Sequence, residues 1–435
     1  MKARNLMTLL IAAILNLSVT LNPLAFVVAQ TTTTIPMLPG NTQQISTAPG
    51  NQTNPHAACN LVSYTNDDLE GSSTIRYLDW ATNTEHVIPG NNLDRLSDTD
   101  GQRIAFTQLT SIGDRILLYD LNSQTTTEIP GIANSDPAIG GNLVAFLHGD
   151  RTTSSAFEIN VYDQNTGTVT QLTTDTLMDL NPSVSPDGNV VVWEKCRPDG
   201  TGCDIYSATQ TGPGAFTTRL LSGAGEDRAP DTNGQLVVYL SNQSGENDIY
   251  LRRVDGSNEM RLSIPGDQRD VRISGNLIVF ESQTADRSYD IFLYDLSSAR
   301  LYQVTNTPGK SETLSDIVTE CNGSNRIVYA IPGTFGDFDV YAFTFQLDDS
   351  IADQLTDLIA LVRSFNLHDG TEASLITKLQ DALAAVNSSN TPIACDSLTA
   401  FINASLAQSG KKLTAGQVQQ LVQSATQIKS DLGCQ

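Results

Sequence analysis

A run of four residues ending in an aromatic side chain recurs seven times: LVSY (61–64), RIAF (103–106), LVAF (143–146), VVVW (190–193), LVVY (236–239), LIVF (277–280) and RIVY (326–329). The start-to-start spacings are 42, 40, 47, 46, 41 and 49 residues. A second series keeps step with it: TIRYLD (74–79), RILLYD (115–120), EINVYD (158–163), DIYSAT (204–209), DIYLRR (248–253), DIFLYD (290–295) and DVYAFT (339–344). Both runs are rich in Val, Ile, Tyr and Phe and short enough for strands. Between them lie turn clusters such as PAIGGN, SPDGN, DTNGQ and ISGN, whose Asn-Gly and Asp-Gly steps favour tight hairpins. Each repeat offers a first strand, an apolar second strand, an alternating third and a short fourth. A unit of this size cannot bury its apolar face alone, so its copies must stack. Four strands per period of 40–45 residues is the pattern of propeller blades. The expected fold is mainly β: a seven-bladed β-propeller, with six blades and one irregular repeat as the alternative.

The ends of the repeat block predict how the ring closes. The last repeat stops after its third strand near Gln346, while QQISTAPGNQTNPHAACN (43–60) resembles a fourth strand, loop and first strand. A strand near Gln43–Thr47 is therefore expected beside Asp339–Phe345, leaving no exposed sheet edge. The expected domains are a propeller over 43–347 and a helical unit over 351–435. In the latter, IADQLTDLIALVRSF, ASLITKLQDALAAV, ACDSLTAFINASLAQ and TAGQVQQLVQSATQIKSDL space their apolar residues by three and four. This predicts a small C-terminal all-α domain of four helices, with Thr414 as an N-cap and breaks at Gly370 and Gly410.

The N-terminus has the pattern of an export signal. Lys2 and Arg4 precede an apolar run from Leu6, and Val27-Val28-Ala29 places small residues for cleavage after Ala29. The expected signal peptide is 1–29, followed by a Thr/Pro-rich linker over 30–42. An uncleaved anchor is the alternative, since Leu6 to Ala29 is long enough to span a bilayer. With the signal removed, no stable membrane insertion is expected. Forty-eight Asp and Glu against 25 Lys and Arg give a net charge of −23, which repels phosphate backbones and argues against nucleic acid as a partner.

Six Cys in an exported chain favour disulfides. Cys196 and Cys203 flank RPDGTG, a hairpin that brings them together; zinc is the alternative, without a third Cys or His nearby. Cys395 and Cys434 share the helical region. Cys59 and Cys321 precede the apolar second strand in the first and last repeats, which are neighbours in a closed ring.

The PSVSPDGNVVVW run (182–193) followed by DIY (204–206), with DIY, DIF and DVY starts at Asp248, Asp290 and Asp339, resembles TolB-like propellers. The first three repeats depart from that pattern, with Thr74, Arg115 and Glu158 in place of the Asp, and seven repeats exceed the six blades usual there. SLITKLQDALAAV (374–386), ACDSLTAFINASLAQSGKKLTAGQVQQLV (394–422) and the terminal LGC (432–434) look like the FIMAH domain of secreted bacterial proteins. The two resemblances imply an exported bacterial protein and no particular reaction.

No catalytic signature stands out. His56, His86, His148 and His368 lack metal-ligand spacing, and nucleophile-elbow, P-loop, dinucleotide and calcium-loop motifs are absent. No cofactor or metal site is expected. Asp204, Asp248, Asp290 and Asp339 recur at one strand start and are expected to cap turns rather than form a carboxylate ring. Residues that break the repeat are better candidates for a ligand-facing surface: His148, Trp193, Glu194, Lys195, Glu281 and Arg287. The sequence points to a secreted, non-enzymatic binding protein whose propeller face takes a protein or glycan at the cell envelope. The alternatives are an extracellular hydrolase or lyase using channel carboxylates, and a periplasmic TolB-like accessory protein.

Overall fold

The computed structural model describes residues 35–434 apart from 47, 150–156, 322, 334–336, 348–349, 366 and 368. The export signal over 1–29, the first part of the linker and His368 lie outside the described residues. Seven four-stranded antiparallel sheets form seven blades, so the seven-bladed count holds over six. Blades 1 to 6 are each four consecutive strands; blade 7 combines three strands with one from the N-terminus. That strand, Gly40–Gln44, pairs with Tyr341–Phe345, three residues before the stretch the sequence pattern favours.

The residues expected to form a linker up to 42 are corrected in part. Leu38 is buried among Leu277, Val304, Ile327 and Phe345, and Met37 bridges to Gln303. An apolar side chain one turn ahead of the closing strand anchors that strand to blades 6 and 7.

Burial follows the repeat. The recurrent aromatics Tyr64, Phe106, Phe146, Trp193, Tyr239, Phe280 and Tyr329 are all buried. In blades 4 to 7 each stacks on the aromatic of the third strand, with centroids 5.9–6.1 Å apart for Trp193–Tyr206, Tyr239–Tyr250, Phe280–Phe292 and Tyr329–Tyr341. Offset stacking of this kind adds to the area term, which explains why an aromatic recurs at both positions.

Three devices join blade 7 to blade 1: the Gly40–Gln44 ladder, the Cys59–Cys321 disulfide, and buried Arg326. The Arg326 guanidinium lies 3.5 Å over the Trp80 ring and donates to the carbonyls of Ala58 and Cys59. Disulfides Cys196–Cys203 and Cys395–Cys434 complete the set.

The C-terminal region holds α1 (Ile351–Ser364), α2 (Asp369–Asn387), α3 (Thr391–Ala407) and α4 (Ala415–Asp431). Consecutive helices pack on one another and α4 returns to α1. Their core, including Leu355, Val362, Leu379, Leu398, Phe401, Leu421 and Ile428, draws only on helical-region residues. Thr414 forms a capping box with Gln417. Gly370 sits inside the first turn of α2 instead of marking the break, because α2 begins at Asp369.

Candidate functional site: the central channel

Seven inner strands surround the propeller axis: Asn51–Ala57, Asp94–Thr99, Asn134–Gly140, Met178–Val184, Asp227–Thr232, Gln268–Ser274 and Thr313–Cys321. Each carries a register break against its second strand. In blades 1 to 6 a residue of positive φ sits at the break: Asn54, Leu96, Asp136, Asn181, Ala229 and Asp270. Such bulges bend a strand and re-aim the side chains beyond them.

Two positions after the bulge comes a girdle: His56, Asp98, Ala138, Ser183, Asp231 and Arg272, with Asp316 in blade 7. Its polar members bridge the seams between blades. Asp98 accepts the Ile139 N–H at 2.7 Å, Asp231 the Ile273 N–H at 2.8 Å, and Asp316 the Ala57 N–H at 2.9 Å. Ser183 donates to Asp231 at 2.6 Å, and Arg272 Nε donates to the Ser315 carbonyl at 3.0 Å. His56 Nδ1 lies 3.2 Å from Asp98 and 3.8 Å from Asp316.

The girdle's charges perturb one another. Burial pulls the His56 pKa down, but Asp98, by charge and hydrogen bond, and Asp316, by charge, together hold it above the ordinary value. Burial pushes Asp316 up to about 6, opposed by His56 and reinforced by Asp98. Burial also raises Asp231, against Arg272 and the Ser183 hydrogen bond. His56 and Asp316, 3.8 Å apart, both have pKa values above their ordinary ones.

The six residues expected on a ligand-facing surface are not brought together. Trp193 is fully buried, and its indole N–H donates to buried Asp179 at 2.8 Å. Buried Glu194 accepts from Asn181 at 2.7 Å and from the Ala229 N–H of blade 5. Buried Glu281 accepts the Leu314 N–H of blade 7 at 2.7 Å and Arg269 Nε at 2.6 Å. Lys195 is half-buried between Asp175 and Asp179. His148 pairs with Asn134 at 2.9 Å, and Arg287 is an exposed turn residue with φ +70°.

Trp193, Glu194 and Glu281 are therefore corrected from surface to interior: Trp193 is itself the recurrent core aromatic, and Glu194 and Glu281 share a reason. The position after the recurrent aromatic meets the bulge of the next blade and supplies an acceptor for its N–H. Thr65 serves Leu96 and Thr107 serves Asp136 in the same way. Glu194, Cys196 and Cys203 stand close enough together to suggest a metal site. The two sulfurs are bonded to each other, so the sulfur ligands are spent. Asp248 and Asp290 are buried within their own blades, Asp248 on Arg261 at 2.8 Å and Asp290 on Gln303 at 2.8 Å.

The girdle was missed in the sequence because its members differ in type from blade to blade. A usable signal was the proline one residue ahead of it in four blades: Asn54-Pro55-His56, Asp136-Pro137-Ala138, Asn181-Pro182-Ser183 and Ala229-Pro230-Asp231.

No family model matches the chain. Solved structures similar to it include the acylaminoacyl peptidase of Pyrococcus horikoshii, at 15% identity and TM-score 0.51 over 69% of this chain and 52% of that one. The β-propeller domain of the Trilobed protease from Pyrococcus furiosus matches at 15% identity and TM-score 0.51, covering 69% of this chain and 95% of that domain. TolB from Acinetobacter baumannii is also similar, at 16% identity and TM-score 0.39 over 71% and 79% of the two chains. The chain spans about half the length of the peptidase it matches. At these identities the likeness concerns the propeller fold.

Proposed function

We propose that this is a binding protein of an oxidising compartment, at the cell envelope or outside the cell, whose loop-rich propeller face takes a protein partner. The observation that carries this reading is a cluster of exposed apolar side chains on that face. Leu69 is 86% exposed and Ile112 71% exposed, in the turns between second and third strands of blades 1 and 2. Leu93 and Ile132 are exposed in the adjoining connections between blades. By the up-and-down path of the blades, all four loops emerge on one face. The loops touch: Ser73 bridges to Leu93, and the Leu109 N–H donates to the Leu93 carbonyl. Apolar clusters on a soluble surface mark interaction sites. The three disulfides support the compartment.

The test is binding of the full chain to isolated cell envelopes and to a glycan array, beside a Leu69→Ser/Ile112→Ser/Ile132→Ser variant. Envelope binding that the variant loses at an unchanged melting temperature is expected. Undiminished binding by the variant refutes the apolar face, and binding to glycans alone points to a sugar partner.

A second reading, an extracellular hydrolase or lyase acting in the channel, is favoured by His56 lying between Asp98 and Asp316. It requires turnover of an ester, peptide or polysaccharide substrate that His56→Gln abolishes. The hydrogen bonds that Asp98 and Asp316 accept from neighbouring blades favour the binding reading, because they commit these carboxylates to holding the ring.

A further inference from the structure

Each inner strand begins with a buried polar residue two positions before its bulge: Gln52, Asp94, Asn134, Asp179, Asp227, Gln268 and Glu312. In every blade but the fifth it has at least one hydrogen-bond partner, in blades 1 to 4 from across the sheet. Gln52 bonds Asn66 at 3.0 Å, Asp94 bonds Gln108 at 2.8 Å, and Asn134 bonds His148 at 2.9 Å. Asp179 has the Trp193 indole and Lys195. Gln268 turns to backbone carbonyls and Glu312 accepts from Thr305. Blade 5 breaks the pattern. The residue opposite Asp227 is Ser241, shorter than the partners in blades 1 to 4, and its hydroxyl donates to the Ala224 carbonyl at 3.2 Å. The neighbouring Ser222 hydroxyl accepts the Ile205 N–H at 2.7 Å. Asp227 is 1% exposed, and neither of its carboxylate oxygens meets a partner in hydrogen-bond geometry; the nearby Ser241 and Ser222 hydroxyls oppose the effect of burial on its pKa without reversing it.

At the seam of blades 4 and 5 lies a half-open cavity of about 260 Å³, with Asp227 in its wall beside Ser222 and Ala224. Gln243, Tyr239, Arg252 and Glu259 line it further. Arg252 is paired with Glu259 at 2.8 Å, and the Tyr239 hydroxyl donates to the same carboxylate. With Asp227 ionised, the two carboxylates of the lining face one guanidinium, which leaves one uncompensated negative charge. A buried carboxylate without a partner is costly, and burial raises its pKa. A ligand that brings N–H donors and one positive charge corrects both deficits. The volume is well above what one water occupies, roughly 30 Å³, so the ligand has a body as well as a charged head.

We propose that this cavity is a binding site for a primary ammonium group carried on a small polar molecule, with Asp227 as its counter-ion. The cavity lies away from the apolar cluster of blades 1 and 2, so the proposal stands whether or not that face binds a protein.

The probe is glucosamine, titrated calorimetrically into the full, oxidised chain, with N-acetylglucosamine, glucose and calcium chloride in parallel. Glucosamine is expected to bind, and the two uncharged sugars to bind at least about ten-fold more weakly, a difference of about 1.4 kcal/mol. Asp227→Asn should lose glucosamine binding by the same factor or more while melting no lower than wild type, because it removes an unpaired buried charge. Ser241→Gln, which copies the Asp94–Gln108 pair of blade 2, should give the Asp227 carboxylate a donor, abolish glucosamine binding, and raise the melting temperature. Absence of glucosamine binding, equal binding of the uncharged sugars, undiminished binding by Asp227→Asn, or thermal stabilisation by calcium chloride alone would each overturn the proposal.

Discussion

Removing the Cys59–Cys321 bridge tests how the ring is held. The bridged residues are 262 apart in sequence. In the chain-entropy account, closing a loop of that length restricts the unfolded chain by about 5–6 kcal/mol, against about 4 for Cys395–Cys434 and about 2 for Cys196–Cys203. The folded ring should survive the loss, because the Gly40–Gln44 ladder and the Arg326 contacts to Trp80, Ala58 and Cys59 remain. A Cys59→Ala/Cys321→Ala variant should therefore keep the wild-type circular dichroism and lose about 5 kcal/mol, with the entropic figure as an upper bound where the unfolded chain is already compact. The assay is guanidinium unfolding followed by tryptophan fluorescence. The chain has two Trp, Trp80 and Trp193, both in the propeller, so the signal is blind to the helices. The m-value should rise, since the unbridged chain exposes more surface on unfolding. A loss below about 1 kcal/mol, or a large loss with an unchanged m-value, would refute the reasoning. The latter would place the bridge's effect in the folded state.

Four further outcomes are expected. Glu194→Ala should lower stability by about 2–3 kcal/mol in urea melts, because the Ala229 N–H and Asn181 are left without their acceptor in the interior; a neutral effect would return Glu194 to the surface. Gly188→Ala should cost about 1–3 kcal/mol, since Gly188 has φ +71° and an added Cβ would lie 2.8 Å from the Gly140 carbonyl of the adjoining blade. Burial raises Asp179 from 3.8 to about 6, so the folded state binds its proton more tightly; stability should be full near pH 4 and fall by about 3 kcal/mol as pH rises through 6. The raised His56 acts in the same direction at higher pH, and Asp179→Asn should flatten the lower part of the melting-temperature profile. Residues 351–435, expressed alone and oxidised, should give a helical spectrum and a cooperative melt that reduction of Cys395–Cys434 lowers, because their core is self-contained; a disordered segment would show that the propeller completes it.

The order of the strands, the Cys196–Cys203 hairpin pair and the C-terminal helices could be derived from local spacing, and seven copies of the repeat favoured seven blades over six; the Cys59–Cys321 pair, 262 residues apart, followed only once the ring was taken as closed. The recurrent aromatic marks the second strand, the Asp-Gly and Asn-Gly steps mark hairpins, and three- and four-residue apolar spacing marks α1 to α4. Contacts across the seams between blades were decided only by the tertiary structure. Glu194 and Ala229 are 35 residues apart, and His56 and Asp316 are 260 apart. Their meeting depends on the bulge in each inner strand and on the closure of the ring. The same is true of Asp227: its type and burial follow from its place in the repeat, but its lack of a partner follows from a short serine on the facing strand. A repeat dictates what every blade shares, through pairings within one sheet. The chemistry that distinguishes one seam from the next arises where two different repeats face each other, and ring closure sets that juxtaposition.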